Sequence, residues 1–205
     1  IEKFIIARRL MYWQVYLHKT VLSAENMLIQ ILNRAKYLYE NSKKIYLSPD
    51  LKRFFENSFS YDDFIKDDSI LENFSRLDDY EIYACLKYWI KNEDFVLSNL
   101  SQKILNRDIL KIRIQKTKFN KKTISEYRSN MMKKENINLN ESKYFIFSDK
   151  VSNSLYSIHE SNIKILFKDG NIKDLSYSSD QFNLKVLAKT INKYFLCSPS
   201  EYIVE

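Results

Sequence analysis

The sequence predicts a mixed fold: an all-α lobe with a very long N-terminal helix, then an α+β lobe of ferredoxin-like (βαββαβ) order. Three observations carry this expectation. Residues 2–42 contain no Gly or Pro, and the whole 205-residue chain has one Gly and two Pro, which favours long uninterrupted elements. Apolar residues keep helical spacing to about residue 108. Alternation at period two then sets in. The lobes divide at 1–108 and 109–205, and no low-complexity linker separates them, so they are expected to pack together.

The elements follow in order. Ala24, Leu28, Ile31, Ala35 and Leu38 form a core-facing stripe, and Met11, Val15, His18 and Leu22 make a similar one further back. They predict one very long helix, or two with a bend near residues 19–23. Ser48-Pro49-Asp50 places Ser at an N-cap and Pro at the first helical position, opening a short helix through Phe54 and Phe55. Asp78-Asp79-Tyr80-Glu81 resembles a capping box before the stripe Ile82, Leu86, Trp89, Ile90, and another helix covers about 94–105. Leu110, Ile112 and Ile114 alternate with Lys111 and Arg113, which is strand spacing. Thr123 and Glu126 form a capping box for a helix to about Lys134. A polar loop follows, then a short strand at 144–147. Ile163, Ile165 and Phe167 lead to Asp169-Gly170, a hairpin signal that uses the only glycine, with an added strand at 171–175. Ser178 and Gln181 cap a last helix to about Ile191, and 194–197 closes as a strand.

Composition narrows the chemistry. With one glycine, neither a P-loop nor a GxGxxG motif can exist. His18 and His159 are the only histidines, so a metal site built from several histidines is impossible within one copy. Cys85 and Cys197 stand alone, which argues against a disulfide framework and for a reduced, cytoplasmic setting. No apolar run approaches membrane-spanning length, so no membrane partner is expected. The carboxylate pairs Asp62-Asp63, Asp67-Asp68 and Asp78-Asp79 are adjacent, which points their side chains apart on a helix; Asp78-Asp79 is explained by capping.

Arg8, Tyr12, Tyr16 and Lys19 share one face of a continuous helix. A guanidinium, two phenols and an ammonium suit a polyanion carrying a flat group, which is the shape of a nucleotide. The same spacing also fits an intrahelical stack or a half-buried core edge. His18 equally suits a satisfied interface or core position, and Trp13 suits packing. Charge is uneven. Residues 101–136 hold 11 Lys/Arg against three acids, and residues 50–81 hold ten acids against four Lys/Arg. The two patches suit a homo-oligomer, and the basic one, with Phe119 and Tyr127, also suits single-stranded nucleic acid. Two solvated faces would look the same.

Ala7-Arg8-Arg9-Leu10-Met11-Tyr12-Trp13-Gln14-Val15-Tyr16-Leu17-His18-Lys19-Thr20-Val21 resembles the helix that follows the catalytic segment in bacterial HD-domain phosphohydrolases, relatives of the vertebrate SAM- and HD-domain dNTP triphosphohydrolase. Phe74 to Asp79, Leu105-Asn106-Arg107, Lys168-Asp169-Gly170 and Lys193 to Leu196 resemble further segments of the bacterial branch. The resemblance implies metal-dependent phosphoester hydrolysis on nucleotides, possible dNTPs among them, with a divalent Mn, Mg, Fe or Zn held by a His…His-Asp…Asp set. That set matches nothing here and lies N-terminal to this helix in the family. The chain, which starts at Ile1, is therefore expected to be a C-terminal region, inactive and without a cofactor of its own, whose partners are its N-terminal HD region, a nucleotide substrate and further copies of itself. By position, Arg8 matches a phosphate contact and Tyr16 the residue packed on the deoxyribose. Tyr12 stands where the vertebrate enzyme has histidine, in the same substrate-facing row, and Leu17 where it has glutamine. His18 and Lys19 match positions near a regulatory nucleotide site at a subunit interface. The rival expectation is a non-catalytic nucleic-acid-binding or oligomerisation module.

Overall fold

The computed structural model describes residues 2–153, 163–174 and 191–202. It is a mixed α/β fold, largely helical, with a small antiparallel sheet. Helix α1 (Glu2–Met11) runs into a π-helical turn at Tyr12–Tyr16, closed by Leu17 N–H donating to Tyr12 O at 2.7 Å. Leu17 (φ −101°, ψ 18°) and His18 (φ −62°, ψ 141°) then leave helical geometry. Helix α2 (Lys19–Glu40) starts afresh with His18 as its N-cap, Nδ1 accepting from Thr20 N–H at 3.3 Å. The expected single long helix is thus two, and the break falls just before the expected bend. One consequence is that the Met11–Val15–His18 stripe does not form. Met11 and Val15 are 48% and 53% exposed, and only Leu22 of that set is buried.

Beyond the break, α2 behaves as its spacing predicts. Ile31, Ala35 and Leu38 are buried together with Met27. They pack on α7 (Phe95–Leu105), which in turn packs on α6 (Asp79–Trp89), and share one buried cluster with Cys85, Leu86, Trp89, Val96, Leu97 and Leu100. Between α2 and α6 lie three short helices, α3 (Pro49–Glu56), α4 (Tyr61–Lys66) and α5 (Asp68–Arg76). Ser48 and Asp78 are the N-caps of α3 and α6, as their motifs predict. The other adjacent carboxylates are also caps. Asp63 accepts from Ser60 N–H and Oγ–H at 2.7 Å each, and Asp67 accepts from Ser69 N–H at 3.0 Å.

Three helices end through residues in the left-handed region: Ser42 (φ 56°), Arg107 (φ 59°) and Asn136 (φ 52°). At each, the following N–H reaches back five residues: Lys43 to Leu38 O, Asp108 to Lys103 O and Ile137 to Met132 O. Gly170 (φ 83°) sits at the tip of the predicted hairpin between β3 (Lys164–Leu166) and β4 (Ile172–Asp174).

The second half departs from the ferredoxin-like expectation. Strands β1 (Lys111–Gln115), β2 (Phe147–Asn153) and β5 (Ile191–Ser198) form one sheet in the order β1–β5–β2, antiparallel throughout, while β3–β4 is a separate pair. A split βαβ unit would put a parallel pair in the sheet; none is present among the described residues. The last strand is central because Phe195, Leu196, Cys197 and Ser198 are buried in succession, as in a strand covered on both faces. Helix α8 (Lys121–Glu135) opens at Asn120, not at Thr123. The expected loop and strand around 135–147 are instead helix α9 (Leu139–Phe145), set by a reciprocal Asn138/Glu141 capping box, with β2 starting only at Phe147. The helix expected from Ser178 falls outside the described residues up to Ile191, which opens β5.

One apolar cluster runs through both halves, joining Ile31, Trp89 and Leu100 to Leu110, Tyr127, Phe145 and Leu196. Polar ties reinforce it. Ser23 Oγ donates to Leu110 O at 2.5 Å. Arg34 is buried, binds Asp94 through Nε (3.0 Å) and Nη2 (2.5 Å), and reaches Glu141 at 3.5 Å. Tyr37 and Tyr144 lie 5.2 and 5.3 Å from the same guanidinium. Burial opposes that charge, but bonding and attraction to Asp94 and Tyr144 outweigh it and hold Arg34 above its ordinary value.

Candidate functional site

The residues expected to bind a nucleotide fall on two surfaces. Arg8, Tyr12 and Tyr16 stay together on α1 and the π turn. The Arg8 guanidinium lies 5.7 Å from the Tyr12 ring centre, and the Tyr12 and Tyr16 rings are 5.1 Å apart at 53°. Arg8 is exposed, Tyr12 is half-buried, and Tyr16 is 50% exposed. The intrahelical stack and the ligand-shaped face are therefore the same object: a ladder of cation, ring and ring with its outer side open to solvent.

His18 and Lys19 leave that face, because the chain turns at Leu17. They line a cleft of about 510 Å³ against the sheet, together with Trp13, Leu22, Lys116 and Lys193. Lys193 Nζ sits 3.9 Å over the Trp13 ring. The floor is apolar and the rim is cationic, with no carboxylate among the lining residues. Trp13, Lys116 and Lys193 had no local signal as site residues. They come from separate segments and meet only through the fold.

Other candidates change role. Tyr127 is 3% exposed, with its hydroxyl accepting from Arg113 Nη1 at 3.0 Å, and Phe119 packs against the core. Tyr127 therefore offers no open face for stacking a base. No three His, Cys, Asp or Glu side chains come together to hold a metal ion among the described residues. His18 is already engaged as a helix cap. Both cysteines are buried, and burial pushes the Cys197 thiol up to about 12. No described helix is long and apolar enough to cross a membrane.

Fold and site together define a helical domain that presents a basic-aromatic ladder on its leading helix and rests on a small antiparallel sheet. Known proteins share this architecture. The structure superposes on the crystal structure of a phosphohydrolase from Bacteroides thetaiotaomicron with a TM-score of 0.83, at 38% identity over 96% of this chain. An uncharacterized Bacillus subtilis protein, YwfO, is 29% identical over 190 residues, 87% of this chain. The chain spans 49% of the Bacteroides protein and 40% of YwfO. No family model matches.

Proposed function

We propose that this chain is the C-terminal region of a metal-dependent HD-type phosphohydrolase acting on nucleotides, with dNTPs as one candidate class. The observation that carries the reading is the likeness, at 38% identity and TM-score 0.83, to a protein that is itself a phosphohydrolase. The resemblance of Ala7–Val21 to the helix behind an HD catalytic segment supplies the finer assignment. Arg8 supplies a charge-assisted bond to substrate phosphate, and Tyr16 packs on the sugar with Tyr12 beside it. Stacking of Arg8 on Tyr12 holds the guanidinium in place before substrate arrives, which lowers the ordering cost of binding. His18 and Lys19, on the separate cleft, serve a regulatory or interface role.

The described residues do not fit a catalytic metal, since no cluster of ligating side chains is present among them. In this reading the metal, of the Mn, Mg, Fe or Zn type, is held by the His…His-Asp…Asp set of the N-terminal HD region. This chain's share is substrate contact.

The test is kinetic. In the intact enzyme, Arg8→Ala should lower kcat/KM for nucleotide hydrolysis by more than about tenfold, because it removes a charged phosphate contact. An unchanged rate would refute the role of Arg8. Manganese-dependent hydrolysis by the isolated 205-residue chain would refute the division of labour.

A further inference from the structure

A cavity of about 620 Å³ lies on the seam between α2 and α9, with Gln30, Arg34, Tyr37, Leu139, Lys143 and Tyr144 among its lining residues. Its volume is that of a small-molecule site. It is remote from the cleft at His18 and Lys19, because Arg34 lies about 22 Å from Lys19 along α2 at 1.5 Å per residue.

The hydrogen bonds already made around this cavity leave mostly donors. Asn138 Oδ1 accepts from Asn140 N–H at 2.9 Å and from Glu141 N–H at 3.0 Å. Asn140 Oδ1 accepts from Lys143 Nζ at 2.9 Å. Glu141 Oε2 accepts from Asn138 N–H at 2.9 Å, and its Oε1 lies 3.5 Å from Arg34 Nη2. The oxygens of α9 are thus engaged by α9 itself and by Arg34. The amide NH2 groups of Asn138 and Asn140 and the rest of the Lys143 ammonium remain. Asp94 and Glu141 accept only from Nε and Nη2 of Arg34, and Tyr144 takes one further N–H, so one of the five guanidinium N–H groups is left over. The Gln30 side-chain amide forms no hydrogen bond among the described residues.

The walls add flat apolar surface. Tyr37 and Leu139 line the cavity from different helices and are 48% and 49% exposed. The cap at Asn138 and the Arg34–Asp94 tie have local explanations; two large apolar side chains left open across one polar cavity do not. Two bonds to Asp94 and the rings of Tyr37 and Tyr144 hold the guanidinium in place, so the site is ordered before a ligand arrives. Charge narrows the ligand further. Arg34 and Lys143 are opposed by Glu141 within the lining, and Asp94 binds Arg34 from outside it, so the surplus is one positive charge at most. One negative charge is matched there, whereas the second charge of a dianion would be uncompensated.

We propose that this cavity binds a small carboxylate carried on a flat ring. The carboxylate accepts from Arg34, Lys143 and the free amides, and the ring covers Tyr37 and Leu139. This proposal does not rest on the hydrolase reading.

Benzoate is the probe, titrated into the 205-residue chain with 13C in its tyrosine rings. Tyr37→Phe and Tyr144→Phe assign the two ring signals. Both signals should shift saturably, with half-saturation below about 10 mM, the range open to a ligand of about nine non-hydrogen atoms. Acetate lacks the ring and benzyl alcohol lacks the charge, so each should bind at least tenfold more weakly. Gln30→Glu places a second carboxylate in the cavity beside Arg34, where it keeps the fold and should weaken benzoate at least tenfold. Lys143→Met should weaken it at least threefold. Lys116→Met, in the cleft beside His18, should leave it unchanged. No saturation by about 50 mM, or equal binding of benzyl alcohol, would overturn the proposal. So would an effect of Lys116→Met in place of the other two variants. Tighter binding of phenyl phosphate, largely a dianion at neutral pH, would overturn the choice of a carboxylate.

Discussion

Replacing Arg34 with Met tests what joins α2 to the later helices. The side chain is 9% exposed and carries both bonds to Asp94, whose side chain is 16% exposed, and a longer one to Glu141, at 25%. Removing one partner of a buried ion pair typically costs about 3–5 kcal/mol, because the other charge stays behind without compensation. Here the two carboxylates keep some access to water, and Asp94 keeps its bond from Leu97 N–H, so the expected loss is about 2–4 kcal/mol. Met fills most of the same space between Tyr37 and Tyr144, so a cavity adds little. With a urea dependence of about 2–3 kcal/mol per molar, the unfolding midpoint should fall by about 0.7–2 M. Arg34→Met/Asp94→Asn should recover about 1–3 kcal/mol, since Asn still caps α7 without an unpaired charge. A midpoint shift under about 0.3 M would mean that apolar packing alone joins these elements and the ion pair is incidental. Equal losses in the single and double variants would mean that the cost does not come from an uncompensated Asp94 charge.

Two further predictions concern titration. Ser60 bonds hold the Asp63 carboxyl below the usual carboxylate range. Its contribution to α4 is therefore present above the ordinary carboxylate value and lost as pH falls through the lowered one. Ser60→Ala should move the Asp63 titration upward when followed by NMR, and an unmoved titration would refute the cap. Burial raises both Cys85 and Cys197, so neither should react with a thiol reagent at pH 8 until denaturant is added. Stoichiometric labelling of the native chain would contradict the core described above.

What the sequence makes legible is mostly local. Ser48 and Asp78 are recognisable as caps because the acceptor and the N–H it binds lie within three residues. The buried face of α2 is legible because helical spacing alone aligns Ile31, Ala35 and Leu38. Asn138 and Glu141 also have capping-box spacing, but the apolar run at 144–147 reads as strand and hides it; that run in fact splits between α9 and β2. Strand order is not legible. The central place of β5 depends on pairing with β1 and β2, which are distant in sequence. The candidate site divides the same way. Spacing finds the Arg8–Tyr12–Tyr16 ladder, because stacked neighbours on one helix face are a local matter. It cannot find the cleft at His18 and Lys19, where Trp13 meets Lys193, nor the break at Leu17 that turns those residues away.

That break makes the leading segment a lever. Arg8 rests on Tyr12 and Tyr12 on Tyr16, so the ladder holds its internal geometry while its direction is set at the pivot of Leu17 and His18. Trp13 lies within the span of the ladder, between Tyr12 and Tyr16, and its ring is seated under Lys193 of the central strand. The aim of the Arg8 guanidinium is thereby geared to the sheet. The direction of α1 is thus fixed from two places, the turn at Leu17–His18 and the seat of the indole on the central strand.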